Sequence, residues 1–315
     1  MKLNSLSSGI IGLILGMSSV VTFQALAENQ DLKQLITGKE LNDQSLLALN
    51  WVQQSGEYKA LSYQAFNMAK IAFDHAISQG VKNPAVVVDL DETLLDNSAY
   101  QASFIGQDQG YSNTTWNQWV QDAEAKALPG AVEFVNYINM NGGKVFFVSN
   151  RNLRSTKSGN NDLEKATIYN LKQLGFSGVD ETTVVLEGEF TKNINNQVST
   201  AKEWRRQAIT NGLVDGINHT IVILVGDNLN DLSDSFENTS TNNEKLIEVE
   251  KLKQQFAFSR NTLLPTFIVI PNPLYGSWES GLYDPQKFNV KKWYELTPEQ
   301  KDQERRESLI IWNNN

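Results

Sequence analysis

Short apolar runs that alternate with helix-compatible stretches most restrict the fold of this 315-residue chain. A run that is apolar at every position is typical of a strand in a sheet covered on both faces. Helical stretches between such strands favour parallel pairing, with helices on both sides of the sheet. The runs are "AVVV" (85–88), "KVFFVSN" (144–150), "TTVVLEG" (182–188), "TIVILVGD" (220–227) and "PTFIVIPNP" (265–273). We therefore predict an α/β fold with three layers around a parallel sheet.

Helical patterns surround these strands. Residues 42–78 contain many helix-compatible residues and no proline, which predicts a long helical region before the sheet. Pro129 begins another helix, because proline is tolerated at the first position and apolar residues follow at helical spacing. Residues 100–128 are polar and show no strand pattern, so we interpret them as a helical insertion. Residues 297–308 predict a solvated C-terminal helix.

The first 27 residues have the composition of an export signal. Lys2 gives a positive start, residues 10–21 form an apolar run, and "ALA" at 25–27 fits a small-x-small cleavage pattern. We predict a signal peptide at 1–27 and a periplasmic or extracellular protein. The alternative is an uncleaved membrane anchor, because residues 7–27 are long enough to span a bilayer.

Charge and cysteine content exclude several classes of function. Lys2 is the only charged residue before position 28, so cleavage changes the formal net charge from −9 to −10. This balance argues against nucleic acid as a partner. A small phosphate ester is not excluded, because at physiological salt the screening length is about 8 Å and local charges decide binding. The absence of cysteine excludes disulfides, thiolate catalysis and thiol-linked lipid, so we predict no stable membrane anchor after cleavage.

Polar residues follow three of the predicted strands at the carboxyl ends, where ligands bind in sheets of this kind. They are Asp89 and Asp91 after the first run, Ser149, Asn150 and Arg151 at the end of the second, and Asp227 and Asp231 after the fourth. Taken alone, the acids of each motif could instead cap the helix that follows the strand. Converging carboxylates repel unless a cation lies between them, so together they predict a divalent metal with oxygen ligands, Mg²⁺ first. An EF-hand calcium loop fits poorly, because its sixth position would be Leu94 rather than glycine.

The motifs "DLDET", "FFVSNR", a later lysine and "VGDNLND" resemble, in this order, the four motifs of the haloacid dehalogenase superfamily of phosphohydrolases. Longer stretches resemble the class C acid phosphatases, the group that includes lipoprotein e. These stretches are "WVQQSGEYKALSYQAFNMAK", "DLDETLLDNSAYQ", "TWNQWV", "LPGAVEFVNYINMNGGKVFFVSNR" and "PNPLYGSWESGL". The likeness covers most of residues 45–285. It implies a Rossmann-like haloacid dehalogenase fold with a small helical cap and N-terminal helices.

The resemblance also divides the chain. After the signal peptide, residues 28–84 would form the N-terminal helical region. The haloacid dehalogenase-like core would consist of residues 85–98 and 129–285, with residues 99–128 inserted as the cap. Residues 286–315 would form a C-terminal tail.

The resemblance implies roles for the acidic residues. Asp89 would be the nucleophile that becomes an aspartyl phosphate. Asp91 would protonate the leaving oxygen and later activate water, and so must be protonated at the working pH. Thr93 would order the loop. Mg²⁺ would be bound by the carboxylates of Asp89 and Asp227 and the backbone carbonyl of Asp91, with Asp231 supporting from further out or through water.

The same resemblance implies a phosphate-binding set of Ser149, Asn150 and Lys202. Lys202 lies in "STAKEWRR" (199–206), which is similar to the lysine-bearing segment of the family. Lys192 is a nearby competitor for this role. Both lysines would instead be ordinary solvated surface residues if the likeness of this segment is accidental.

Substrate choice is expected to depend on aromatic residues. By the resemblance, Trp116 and Tyr275 would enclose a nucleobase or aromatic leaving group, although either would also suit a core position. The resulting hypothesis is a secreted, Mg²⁺-dependent acid phosphatase of phosphate monoesters, nucleoside 5′-monophosphates first. The alternatives are a noncatalytic nucleotide- or haem-binding surface protein and a phosphotransferase to acceptor alcohols. The resemblance also suggests a homodimer.

Overall fold

The computed structural model describes residues 36–155, 161–194, 196–239, 241–261 and 264–312. The predicted signal peptide at 1–27 lies outside these residues. Within the described ranges, no helix combines the length and the apolar character needed to cross a bilayer.

A five-stranded parallel sheet organises the fold, which confirms the predicted α/β class. Its strands are β1 (Pro84–Val88), β4 (Lys144–Asn152), β5 (Val184–Glu187), β8 (Thr220–Gly226) and β9 (Thr266–Val269). They lie in the order β5-β4-β1-β8-β9, and every pairing is parallel. After β1 the chain passes first to one side, to β4, and later to the other side, to β8. The strand order therefore reverses at β1, and a crevice opens at the carboxyl end of that strand.

Two short antiparallel pairs lie outside this sheet. They are β2 (Leu95–Asp96) with β3 (Lys126–Ala127), and β6 (Lys192–Ile194) with β7 (Gln197–Ser199). The expectation of no strand within residues 100–128 was therefore wrong at β3. Its pairing with β2 is a tertiary contact, and two residues are too few to show a strand period.

The described residues contain eleven α-helices and several short 3₁₀ turns. The helices are α1 (Gly38–Asp43), α2 (Leu46–Gln54), α3 (Gly56–Ser78), α4 (Ser98–Ala102), α5 (Asn113–Asp122), α6 (Ala131–Met140), α7 (Asp162–Gln173), α8 (Lys202–Thr210), α9 (Asn242–Leu252), α10 (Ser277–Ser280) and α11 (Pro298–Glu307). Three of them share the helical region predicted at 42–78. Ser55 separates α2 from α3, because its hydroxyl accepts a hydrogen bond from Tyr58 N at 3.0 Å and caps the new helix.

Both faces of the sheet are apolar, which explains the continuous runs. Val86 and Val88 belong to the larger core, with α3 and α6, where Phe66 stacks on Phe134 with 5.2 Å between ring centroids. The alternate residue Val87 belongs to a second core on the opposite face. The layers thus hold β1 rigidly, and the residues at its carboxyl end are fixed in position.

The C-terminal helix α11 packs against the N-terminal part of the chain. Asp302 Oδ1 accepts a hydrogen bond from Gln44 Nε2 at 2.6 Å, and Arg305 Nη1 donates to Gln44 Oε1 at 2.7 Å. Asp302 and Glu304 are buried. The expectation of a solvated helix was therefore wrong for this face, because a helix of polar residues can dock through hydrogen bonds and ion pairs rather than an apolar stripe.

Candidate active site

Asp89 directly follows β1, and the sheet fixes its backbone: Asp89 N donates to Val225 O of β8 at 2.9 Å. Its side chain is buried, with 8% exposed. Thr93 connects it to the end of β8. The Thr93 hydroxyl lies 3.4 Å from Asp89 Oδ2 and 3.3 Å from Asp227 Oδ1, and it accepts a hydrogen bond from Asp227 N at 3.0 Å. Thr93 therefore sets the spacing between the first and the last motif.

Three carboxylates meet at this point. Asp89, Asp227 and Asp231 each offer an oxygen, and these oxygens lie within 4.8 Å of one another. Lys202, the first residue of α8, contacts two of them: its Nζ lies 2.6 Å from Asp231 Oδ1 and also binds Asp89 Oδ1. Lys202 is only 4% exposed. Its single positive charge balances only part of the charge of three ionised acids.

The charge balance of this cluster shifts its pKa values. Burial raises the pKa of Asp89 to about 7, against the opposing attraction of Lys202. Burial, with the neighbouring Asp231 and Asp89, raises the pKa of Asp227 well above its usual value. Burial acts to lower the pKa of Lys202, but Asp231 and Asp89 together hold it above its usual value. The cluster lacks positive charge when its acids are ionised.

The donor set fits a hard divalent cation. All three groups present oxygen, the ligand atom that Mg²⁺ and Ca²⁺ prefer, and a cation would supply the missing positive charge. Asp231, which was expected to act from further out, offers an oxygen as close to the cluster as the other two. The Asp91 carboxylate, in contrast, is not part of the cluster.

Asp91 is held by other partners. Arg151 binds its carboxylate through Nη2 at 2.7 Å from Oδ1 and through Nε at 3.1 Å from each oxygen. Asn97 Nδ2 donates to Asp91 Oδ1 at 2.9 Å. The side chain thus has a fixed orientation, separate from the three-carboxylate cluster.

Glu92 lies beneath the same loop and connects it to the predicted substrate residue Tyr275. Tyr275 OH donates to Glu92 Oε2, while Asn97 N donates to Glu92 Oε1 at 3.1 Å. Burial, with Asp91 and Asp227 nearby, raises the pKa of Glu92 well above its usual range. These contacts hold the Tyr275 side chain in one orientation beside the loop that follows β1.

Two of the predicted phosphate-binding residues, Ser149 and Asn150, lie at the end of β4. Ser149 is buried and Asn150 is exposed. Arg205 holds this strand end, because its Nη1 donates to Ser149 O at 2.5 Å and its Nη2 donates to Asn150 Oδ1 at 2.7 Å. Lys192, the competitor of Lys202, is exposed on β6, with its Nζ 4.4 Å from the Trp204 ring centroid.

A cavity of about 700 Å³ opens over this region. Asp89, Asp91, Lys202, Trp116 and Tyr275 all line it. Trp116 belongs to α5 of the insertion and is largely buried; its ring packs edge-on against Tyr100, with 5.2 Å between centroids. It is therefore both a core residue of the insertion and part of the cavity lining.

Sequence reasoning missed several residues that hold the site together. Asn272 follows β9 at the same edge as the predicted acids, so the strand-end rule could have found it. Arg151 was expected among the polar residues at the end of its strand, but its contact with Asp91 was not. Asn272 Nδ2 donates to Asp227 Oδ2 at 2.8 Å. Glu92 and Arg205 gave no comparable signal, because the site residues that they contact, Tyr275 for Glu92 and the end of β4 for Arg205, are distant in sequence.

Comparison with known proteins agrees with this geometry. A family model described as "HAD superfamily, subfamily IIIB (Acid phosphatase)" matches residues 12–278. The class C acid phosphatase from Bacillus anthracis is 34% identical with a TM-score of 0.69, and the match covers 87% of this chain and 99% of that one. A structure of that enzyme with tungstate bound gives the same values.

More distant curated relatives come from Glycine max. The "Stem 31 kDa glycoprotein" is 23% identical over 218 residues, which are 69% of this chain and 67% of that protein. The "Stem 28 kDa glycoprotein" is 25% identical over 180 residues, which are 57% of this chain and 62% of that protein. The matches thus span about two thirds of the length of these relatives.

Fold and site together define a phosphomonoester hydrolase of the haloacid dehalogenase type. Within this class, the chain belongs to the subfamily IIIB acid phosphatases. Enzymes of this type act on small phosphate esters and typically use a divalent metal. Asp89, Asp227 and Asp231 form a carboxylate cluster with the donor atoms that such an ion requires.

Proposed function

We propose that this chain is a secreted, Mg²⁺-dependent acid phosphatase that hydrolyses nucleoside 5′-monophosphates through an aspartyl phosphate. The observation that carries the proposal is the position of Asp89. Its carboxylate lines a large cavity beside Lys202, Asp227 and Asp231, at the strand end where the sheet order reverses. A buried carboxylate that faces a cavity beside a cation is poised to act on an anionic substrate.

The proposed chemistry proceeds in two steps. A carboxylate oxygen of Asp89 attacks phosphorus, the bond to the leaving oxygen breaks, and Asp91 gives that oxygen its proton. Asp91 then takes a proton from water, whose oxygen attacks the phosphorus and releases phosphate and Asp89. Arg151 and Asn97 stabilise the carboxylate that Asp91 becomes after the first transfer.

The proposed reaction also requires that the negative charges of Asp89 and the substrate phosphate be neutralised. A divalent cation held by Asp89, Asp227 and Asp231 would supply positive charge that offsets the repulsion between nucleophile and phosphate. We propose Mg²⁺ because the donors are all oxygen. Lys202 and the end of β4 at Ser149 and Asn150 are the proposed phosphate-binding groups. The tungstate bound by the Bacillus anthracis enzyme, a tetrahedral oxyanion like phosphate, supports such a site.

The nucleotide preference rests on the size and lining of the cavity. A volume of about 700 Å³ lies within the usual range of about 300–1,000 Å³ for small-molecule sites. Trp116 and Tyr275 present aromatic surface to it, and ring stacking tolerates different bases. We propose these two residues as the leaving-group contacts.

Export is proposed from residues 1–27 alone, which gives a periplasmic or extracellular location. The homodimer stays a prediction.

The first test is release of inorganic phosphate from adenosine 5′-monophosphate at mildly acidic pH, with Mg²⁺ or with a chelator. We expect release with Mg²⁺ and loss with chelator; undiminished release with chelator would contradict the metal role. Asp89→Asn should abolish turnover while the unfolding temperature changes little, and Asp74→Asn, at an exposed aspartate of α3, serves as the control. Added nucleoside as acceptor separates phosphotransfer from hydrolysis by its phosphorylated product.

A further inference from the structure

The C-terminal segment contributes a second side to the cavity. Trp293, Tyr294, Lys301 and Arg305 line the same space as Asp89. The family model ends at residue 278, so these residues lie beyond its match. We call residues 293–305 the C-terminal wall. The family model therefore does not describe the side chains that this wall adds to the cavity.

The C-terminal wall is held in place by ion pairs and hydrogen bonds. Arg305 binds Glu279 Oε1 through Nη2 at 2.6 Å, donates from Nε to Tyr283 OH at 2.8 Å, and donates from Nη1 to Gln44. The buried Glu304 binds Lys287 Nζ at 2.5 Å. These contacts fix the end of the wall at residues 304–305, so side chains there meet a ligand without first having to be ordered.

Lys301 and Arg305 are the two cations of this wall. Among the described residues, Lys301 Nζ has no hydrogen-bond or ion-pair partner, and it lies 5.1 Å from the Trp293 ring centroid. Arg305 and Glu279 neutralise each other. Asp108, an acid on another part of the lining, accepts a hydrogen bond from Lys39 N at 3.3 Å. Burial lowers the pKa of Lys301, against the opposing attraction of Glu279.

Aromatic surface lies next to this cation. Trp293 stacks on Tyr283 at 6.0 Å with 19° between the ring planes, which fixes its orientation. Trp293 is 37% exposed and Tyr294 63% exposed, so both retain free surface while lining the cavity. A flat ring can lie against them, and an anionic substituent on that ring can reach a cation nearby.

We propose that the C-terminal wall is a leaving-group subsite for phosphate monoesters whose leaving group is an aromatic ring bearing a second anionic group, with Lys301 as its counter-ion. The inference rests on the proposed function. The scissile phosphate has its own cation in Lys202, which binds Asp89 and Asp231. Lys301 is not part of that cluster, so its charge is available to the opposite end of the substrate.

The test compares nicotinate mononucleotide, whose ring carries a carboxylate, with nicotinamide mononucleotide, whose ring carries an amide at the same position. We expect wild-type kcat/KM to favour the carboxylate. Lys301→Gln should reduce this preference by about 3–10-fold, through KM rather than kcat. The substitution removes the ion pair between the partly exposed Lys301 and the substrate carboxylate. Lys301→Arg should keep the preference. Lys291→Gln, at an exposed lysine of the same segment, is the control and should also keep it.

Each outcome decides the inference. Equal kcat/KM for both nucleotides in the wild type, or an unchanged preference in Lys301→Gln, overturns it. Equal losses in Lys301→Gln and Lys291→Gln overturn it as well. If neither nucleotide releases phosphate, the proposed function is wrong, and calorimetric affinities for the two dephosphorylated ribosides decide the inference. Tighter binding of the carboxylate riboside that is lost only in Lys301→Gln then supports the inference. Equal affinities for the two ribosides in the wild type overturn it.

Discussion

The guanidinium of Arg151 binds both oxygens of the Asp91 carboxylate, with Nη2 at 2.7 Å from Oδ1 and Nε at 3.1 Å from each oxygen. Arg151 is 2% exposed, and its Nη1 also donates to Thr167 Oγ1 at 3.2 Å. The contact is thus a partly buried, charge-assisted pair. It favours the carboxylate form of Asp91, which in the proposed mechanism is the form that remains after proton transfer to the leaving group.

Replacement of Arg151 should therefore affect the chemical step. We expect Arg151→Gln to lower kcat by about 10–100-fold, with a smaller change in KM. This is the size of effect expected when a hydrogen-bonded contact with a charged group is lost. Steady-state phosphate release measures both constants. Arg154→Gln, at an exposed arginine three residues on, should change neither. An unaltered kcat in Arg151→Gln would show that Asp91 does not depend on this pair.

Removal of Lys202 should destabilise the fold as well as the activity. Lys202→Met leaves Asp89 and Asp231 buried without their cation, so the free energy of unfolding in chelator should fall by about 3–5 kcal/mol. Added Mg²⁺ should restore more stability to this variant than to the wild type, because it supplies the lost charge. Urea unfolding measures both effects. The control Lys192→Met should lower the free energy of unfolding by at most about 1 kcal/mol, because it removes only an exposed contact with Trp204. Equal losses in the two variants would show that Lys202 does not balance the charge of the buried acids.

Gly226 should be required for the carboxylate cluster. A Cβ at this position would overlap the side chain of Asp231, whereas nothing lies within 4 Å of a Cβ at Gly56. Gly226→Ala should thus displace Asp231 and weaken Mn²⁺ binding by about 10–100-fold, as seen for lost support of metal ligands. Calorimetry with Mn²⁺ provides the measurement, and Gly56→Ala is the control. Wild-type affinity in Gly226→Ala would exclude Asp231 from the cation site.

Asp215, at the opposite end of the sheet, should make stability depend on pH. Burial acts to raise its pKa, but hydrogen bonds from Lys144 and His219 lower it to about 2. A lowered pKa in the folded state stabilises the fold above the ordinary value near 4, and this contribution disappears as the pH falls towards 2. Asp215→Asn should therefore cost about 1–2 kcal/mol at pH 7 and less at pH 3. Urea unfolding at both pH values, with Glu181→Gln at an exposed acid as control, measures the difference; a loss independent of pH would contradict the assignment.

Much of the fold and part of the site could be predicted from the sequence. Both faces of the sheet are apolar, so β1 and β8 appear as continuous runs, and Asp89 and Asp227 stand out where those runs stop. The carboxyl ends of parallel strands share one edge, and this rule brings the two acids together without knowledge of the tertiary structure.

The rest depended on contacts between distant residues. The region 42–78 was predicted as one helical region because it lacks proline, whereas a serine cap divides it at Ser55. The contact of Arg305 with Gln44 joins residues from opposite ends of the chain, and no local pattern indicates such a pair. The C-terminal wall of the cavity was therefore beyond sequence reasoning.

Trp119 of α5 donates from Nε1 to Asn97 Oδ1 at 2.7 Å, and Asn97 in turn donates to Asp91. Any shift of the inserted helix is consequently transmitted to Asp91, the proposed proton donor. Replacing this insertion with another would misalign the proposed proton transfer unless the new insertion kept an equivalent donor to Asn97.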